Sequence, residues 1–431
     1  MKVLLVFFLF LNISIASDVK PVLEFPEKGM DDPVRYKNYM TRFYRDSSRN
    51  ALQIYLNLGS GRVVHLWADA ANESLSFTVR DASGQPAALR WCSDRADATT
   101  TNNIRFMEIS LCASAPSIEI GHFLLGSMRK ERDFQYFKKD QAPFNAAPFH
   151  EPELLQLIAN LEKLPAEERG RHLELLQASN IGQLQERMNP KLVQSERTVS
   201  LQQISFDGKN HLLLEMASDD SVKIDTNTIT IEDTNKDGIR LRVKVGTDSA
   251  TLKPLDRSEI FNEAFMKFYN EMQKKAASSR QAEMDYRWLD REVRGMELVC
   301  YQDKLMAGLP NFATYFGRDT MMSAFMFEPI WSGAMMEHAL TSVLRKVNER
   351  GLVSHEEALG GQAIRENAAE YNKAVDEYLG QGWRDAGARA MDILSELQRV
   401  RENYNMIDDD FQLPVLLGRY LANAAIKQGQ K

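Results

Sequence analysis

The spacing of apolar residues changes once along this chain, near Pro254, and that change limits what it can fold into. From Arg42 to Ile120 the pattern alternates in twos, as in Ala51-Leu-Gln-Ile-Tyr-Leu-Asn-Leu58, with Gly59-Ser-Gly61 and Asp81-Ala-Ser-Gly84 as turns. That is antiparallel sheet. A second strand-rich block runs from Val199 to Leu252. Between the blocks, 151–193 carries Leu154, Leu155, Leu157, Ile158 and Leu161 at helical spacing, which reads as a small helical insertion riding on a β-sandwich. After Pro254 the period is 3.6, and it predicts helices at about 257–278, 281–306, 320–327, 334–348, 361–379, 383–402 and 409–427. Apolar helices alternate with more polar ones, as in a two-layered array. The stripe Met321, Met322, Met326, Met335 and Met336 has no His or Cys beside it and reads as core.

Met1-Lys2 precedes the apolar run Val3 to Leu11, which closes on Ser14-Ile-Ala16. The run is too short to span a bilayer and has the form of a cleaved secretory signal over 1–17, so an exported protein is expected. The remainder divides into 18–254 and 255–431. At 44% hydrophobic and 26% charged the composition is that of an ordinary soluble protein large enough for two or three cores. A net charge of −7 with scattered basic residues offers no footprint for nucleic acid or an anionic membrane. Of three cysteines, Cys92 and Cys112 flank a Thr/Asn-rich turn and are the disulfide candidate, while Cys300 falls in a helical run as a buried thiol. Asp233-Thr-Asn-Lys-Asp-Gly238 imitates half a calcium loop, but Lys244 stands where a bidentate Glu belongs. A hairpin turn about Asp237-Gly238 is the better reading, and no metal or cofactor is expected.

One stretch carries chemistry. Gly308-Leu-Pro-Asn-Phe-Ala-Thr-Tyr-Phe-Gly-Arg-Asp-Thr320 reads as a rigid loop between two helices, with Asp319 or Thr320 as N-cap of the second. It resembles the Gly-Leu-Pro-x-Phe…Phe-Gly-Arg-Asp-Thr loop of the glycogen-debranching (amylo-α-1,6-glucosidase-like) branch of the six-hairpin glycosidases. The likeness continues through Gly351-Leu-Val-Ser-His-Glu356 and Tyr404-Asn-Met-Ile-Asp-Asp-Asp-Phe411, and covers about 287–420. It implies a β-sandwich joined to the first half of an (α/α)6 toroid. The implied activity is inverting hydrolysis of an α-glucosidic linkage in an oligo- or polysaccharide, as in glycogen debranching.

The resemblance also implies roles. Arg318 and Asp319 would hold sugar hydroxyls, and Asp408 would protonate the departing oxygen. Tyr315 and Phe316 would floor a pyranose ring, and Glu356 would contact hydroxyls from a neighbouring loop in which Ser354 replaces the family's proline. Each has a plainer alternative: Asp408 to Asp410 as a run capping a helix, Glu356 as an acidic first turn, the aromatics as core. A twelve-helix ring exceeds the seven helices legible here, so the general base is expected outside these 431 residues. Two other readings stay open: an inactive carbohydrate-binding or structural protein, and trehalase-like or glucoamylase-like specificity.

Overall fold

Along each strand of the sheet that positions the site, neighbouring residues are buried in opposite directions. Ile54, Val63 and Trp67 enter the core between two sheets, whereas Tyr55, Val64 and Leu66 pack on the other side against Tyr301, Met306 and Ala313 of the helical half. A sheet covered on both faces buries every residue of the central strand Arg62–Trp67.

The computed structural model describes residues 16–32, 34–137, 151–195, 197–225, 228–309 and 311–429. Most of the expected signal segment lies outside the described residues. Among those described, no helix is long and apolar enough to cross a membrane. The protein combines two antiparallel eight-stranded sheets with helices. One sheet runs from Ser17–Val19 through Ala96–Thr101, Ile104–Ala113, Ile239–Thr247, His211–Ala217 and Thr198–Ile204 to Lys191–Ser195, with Leu89–Trp91 paired to Ile104–Ala113. The other runs from Ser221–Asp225 through Thr228–Glu232, Ser117–Ser127, Glu73–Asp81, Arg62–Trp67, Ala51–Asn57 and Tyr39–Arg45 to Pro21–Phe25. Cys92 and Cys112 form a disulfide, Cα to Cα 5.3 Å, that ties the short strand Leu89–Trp91 to its neighbour.

The strands on either side of Asp233 to Gly238 belong to different sheets, so the segment is a crossover and not the hairpin turn expected from the sequence. Its polar atoms serve the crossing: the Asp233 carboxylate accepts from the Gly238 N–H at 3.0 Å, and Asp220 accepts from Thr234 and Asn235.

The helical insertion touches the sandwich, where Arg187 donates to the Phe206 carbonyl at 3.0 Å, but its larger apolar contact lies elsewhere. Pro152–Lys163, Ala166–Leu175 and Ile181–Arg187 share one apolar cluster with the distant helices Gly360–Gln381 and Arg384–Ser395, where Leu157, Leu161 and Leu184 meet Tyr371, Val375 and Leu394. Asn160 donates to Asn372 at 3.2 Å inside it. A second cluster gathers Ile260, Val293, Met321, Trp331, Met335, Leu340 and Leu416. Of the methionine stripe, Met321, Met335 and Met336 are buried there, but Met322 and Met326 are exposed. They occupy one helix face, four residues apart, that no described element covers.

Helix ends also differ from the periodicity. The helix expected to reach 306 stops at Val299 with extended backbone at Cys300, which is buried and unpaired. That expected to reach 402 stops at Ser395. In both places the chain turns aside to form short strands, Met306–Gly308 with Phe312–Tyr315 and Glu356–Ala358 with Arg401–Asn403.

Helix Gly360–Gln381 docks on the sandwich through its first residue. A Cβ on Gly360 would lie 2.5 Å from the Ala71 carbonyl oxygen, and φ is +50°, so only glycine fits. Beneath it, Glu73 is buried and accepts from the Ser249 hydroxyl at 3.2 Å. Burial pushes its pKa up to about 8, and Asp248 and Asp207 add to the effect. A raised folded-state pKa gives stability that is complete below the unfolded value near 4.3 and is lost as pH rises through about 8. Urea unfolding across pH 4 to 9 is expected to show Glu73→Gln gaining on the wild type over that window, by up to about 1.4 kcal/mol per pH unit. Parallel curves would show that Glu73 titrates normally.

Candidate functional site

The loop expected between two helices is a hairpin followed at once by a helix. Met306–Gly308 pairs with Phe312–Tyr315, Phe316 bridges to Glu356, and the helix Gly317–Phe327 begins on the next residue. Phe316 therefore occupies the N-cap position, without a side-chain cap, and Asp319 lies in the first turn and is not the cap. Gly317 makes this junction possible. Its N–H donates to the His355 carbonyl at 2.8 Å, and a Cβ there would stand 2.7 Å from the Ser354 carbonyl oxygen.

One buried carboxylate holds the junction. Glu357 accepts from Lys346 at 2.8 Å, from the Thr314 hydroxyl at 3.0 Å, from the Tyr315 N–H at 3.2 Å, and from Lys304. Burial alone would raise its pKa, but the two ammonium groups prevail and hold it down at about 2. Ser354 fastens the same loop: its N–H donates to the Lys346 carbonyl at 3.1 Å and its hydroxyl to the Glu356 carbonyl at 2.9 Å. These bonds fix the loop without the proline of the resembled family.

Opposite lies the start of the helix Ile407–Gly429, with Asp408, Asp409 and Asp410 in its first turn. The three carboxylates have separate partners. Asp410 accepts from the Val353 N–H at 2.8 Å, and buried Asp409 meets His355 Nδ1 at 2.7 Å. Burial raises the Asp409 pKa, against the lowering effect of His355. Asp408 instead faces Arg318, Oδ2 to Nη1 3.8 Å, and its Oδ1 has no hydrogen-bond partner. Arg318 also lies 3.8 Å from the Asp319 carboxylate. Arg318, Asp319 and Asp408 thus meet on one rim, all partly exposed, at separations that leave their hydrogen bonds to be made with something else.

Two of the proposed sugar contacts change. Tyr315 is fully buried, with Lys346 4.9 Å from its ring centroid, so it cannot floor a sugar and is part of the core. Phe316 is half-buried, edge-on to Phe312 at 5.6 Å and to His355 at 5.5 Å, and keeps one side open. Glu356 belongs to the short strand Glu356–Ala358 and not to a helical first turn. Burial raises its pKa, while Arg129 and Arg132 of the helix Met128–Phe137 oppose the rise. His355, Asp409, Glu357 and these two arginines were not singled out from the sequence. Arg132 lies more than two hundred residues from Glu356, and no local spacing signals that meeting.

Because its folded-state pKa is depressed, Glu357 stabilises the fold above the unfolded value near 4.3, and the contribution disappears as pH falls through about 2. Glu357→Gln is expected to cost about 3–5 kcal/mol at pH 7 by leaving Lys304 buried without its counter-ion. Denaturant titration at pH 7 and pH 3 should find the difference from wild type shrinking in acid, and an unchanged midpoint at pH 7 would remove Glu357 as the clamp. No family model matches this chain, and no curated protein matches it.

Proposed function

We propose that this protein is an exported carbohydrate-active enzyme of the inverting glycoside hydrolase type, acting on α-glucosidic linkages of oligo- or polysaccharides in the manner of glycogen-debranching glucosidases. The observation that carries the reading is the separation of the aspartate run. Asp409 and Asp410 are each engaged through one oxygen by the 353–355 loop, and Asp408 is the member of the run whose carboxylate pairs with Arg318, which also lies beside Asp319. A glycosidic bond breaks when the departing oxygen receives a proton as positive charge grows on the sugar. In this reading Asp408 delivers that proton. Arg318 and Asp319 hold ring hydroxyls through charge-assisted hydrogen bonds. Phe316 offers an apolar face to the ring, Glu356 takes a further hydroxyl, and Asp409 with His355 keeps the loop in register.

The finer architecture is an (α/α)6-type ring. Support comes from the packing of Gly317–Phe327 and Gly333–Leu344 against Ile407–Gly429, and from the stripe Ile407, Phe411 and Val415, which with Met322 and Met326 leaves an apolar face bare. Such a face is what one helical hairpin of a ring presents to the next. Export is supported by the leader-like start and by the Cys92–Cys112 disulfide, a bond of oxidising compartments. The other reading is a saccharide-binding protein without turnover. It is favoured by the nearest charged partner of Asp408 being a guanidinium and not a second carboxylate.

Calorimetric titration with maltooligosaccharides and branched dextrins, together with a glucose-release assay, tests both. Arg318→Ala and Asp319→Ala should each weaken binding at least about tenfold, the loss of one or two hydrogen bonds to charged groups. Asp408→Asn should leave binding in place and reduce any glucose release by about 100-fold or more. Release untouched by Asp408→Asn would remove it as the acid. Binding without release would favour the second reading, and a chain that binds no α-glucoside would sink both.

A further inference from the structure

A cleft of about 1000 Å³ lies against the strands Tyr39–Arg45, Ala51–Asn57, Arg62–Trp67 and Glu73–Asp81. The register sets Tyr39, Asn57, Arg62 and Thr78 side by side across these four strands, about 14 Å from end to end at the usual strand spacing, and all four line the cleft. A floor of that length suits an extended ligand. Four arginines line it, Arg35, Arg62, Arg80 and Arg132, and among the described residues that do so there is no carboxylate. The four are not equivalent. Arg62 is buried and fully engaged: Glu131 accepts from two of its nitrogens at 2.8 and 2.7 Å, and the His122 carbonyl from the third at 2.5 Å. Arg80 donates to the Gly84 carbonyl at 2.7 Å. The side chains of Arg35 and Arg132 make no hydrogen bond or ion pair with any described residue. Each lies over a ring instead, 5.6 Å from the Tyr36 centroid and 6.0 Å from that of Phe312.

These two cations come from different ends of the row. Arg35 belongs to the turn that leads into Tyr39, whose N–H donates to the Tyr36 carbonyl at 2.8 Å. Arg132 belongs to the helix Met128–Phe137, whose Glu131 and Phe134 hold Arg62. Arg132 is half-buried, and burial together with the neighbouring Arg129 presses its pKa down. The adjacent carboxylate, Asp133, is engaged by Arg129 at 3.3 Å and by Arg365 at 3.2 Å. A partly desolvated guanidinium gains most from a planar anion that takes two of its N–H groups at once, which a carboxylate does. Between the charges the cleft suits hydroxyls. Gln53 donates to the Thr41 hydroxyl at 3.1 Å, and its Oε1 has no partner although the residue is only 2% exposed, so that oxygen is open to a hydroxyl donor. Tyr36, Tyr39 and Tyr136 add rings on which a sugar face can lie. We propose that the cleft binds an acidic oligosaccharide, a chain of sugar units with one carboxylate at Arg35, another at Arg132, and hydroxyls on Gln53 between them. A nucleic acid strand would also bring anions and stacking faces, but the protein's net charge of −7 opposes a polyphosphate. The site is independent of the rim, since none of Arg318, Asp319 and Asp408 lines it.

Calorimetry on the full chain with hexagalacturonate, and with maltohexaose as the neutral chain of equal length, tests the proposal. Both are titrated into the wild type and into Arg318→Ala, in which the rim is weakened. Hexagalacturonate should bind the two proteins equally, and in Arg318→Ala at least about tenfold more tightly than maltohexaose. Arg35→Ala and Arg132→Ala should each weaken it at least about tenfold, the loss of hydrogen bonds between charged groups, and Gln53→Leu about threefold. Arg35 is exposed, so Arg35→Glu keeps the fold and should abolish binding should Arg132→Ala fail to fold. No binding of hexagalacturonate, equal affinity for maltohexaose in Arg318→Ala, or affinity indifferent to the arginine variants would overturn the proposal and leave the rim reading standing. Hexagalacturonate binding lost in Arg318→Ala would overturn the cleft as its place. Hexathymidylate binding as tightly would overturn the saccharide, and a sulfated hexasaccharide binding more tightly would overturn the carboxylate.

Discussion

The contact of Glu357 with Lys304 and Lys346 is the constraint on which the rest of the site depends. Three stretches meet at this one side chain: the turn after helix Arg280–Val299, the hairpin that ends at Tyr315, and the end of helix Gly333–Leu344. Each also packs apolar side chains, Met306 and Ala313 from the hairpin and Met335 and Leu340 from the helix, but the carboxylate is where all three converge. A buried ion pair is a weak source of net stability, since desolvation offsets much of the attraction, but it is demanding about geometry. Two ammonium groups, a hydroxyl and a backbone N–H converging on one carboxylate specify where the hairpin stops, and so where Phe316, Gly317 and Arg318 begin.

The sandwich is the other half of that positioning. Its second sheet uses alternate residues for two jobs, one row filling the space between sheets and the other, through Tyr55, Val64 and Leu66, supporting the hairpin from below. The rim is thus held between a rigid β surface and a charged knot, and Arg318, Asp319 and Asp408 stand on element ends, where side chains are exposed while the backbone is hydrogen-bonded.

Much of this order is legible in the sequence because periodicity reports local geometry. Strand and helix territory follow from the periods of two and 3.6. What escapes is whatever depends on a partner far along the chain. Three-residue strands such as Glu356–Ala358 exist only because Arg401–Asn403 lies beside them, and they have no period to detect. The crossover at Asp233 looks like a hairpin because the local residues are the same in either case, and only sheet membership tells them apart. The same holds at the site. Arg318, Asp319 and Asp408 are recognisable by motif and do come together, whereas Tyr315, three residues from Arg318, is in the core because its strand is buried throughout Ala313, Thr314 and Tyr315. The roles of Asp409 and Asp410 could not be separated from that of Asp408 without the loop they hold.

The cluster shared by the insertion and the helices after Gly360 bears on how the polypeptide is made. Asn160 meets its partner Asn372 only after more than two hundred intervening residues have been synthesised, and the cluster around Leu157 and Leu161 is completed by Tyr371, Val375 and Leu394. During translation, and during any export in an extended state, the early helices must wait with their apolar faces open until the late ones emerge. A sandwich with the insertion but without the late helices would leave part of that apolar cluster uncovered. The late helices close the molecule as well as carrying part of its rim.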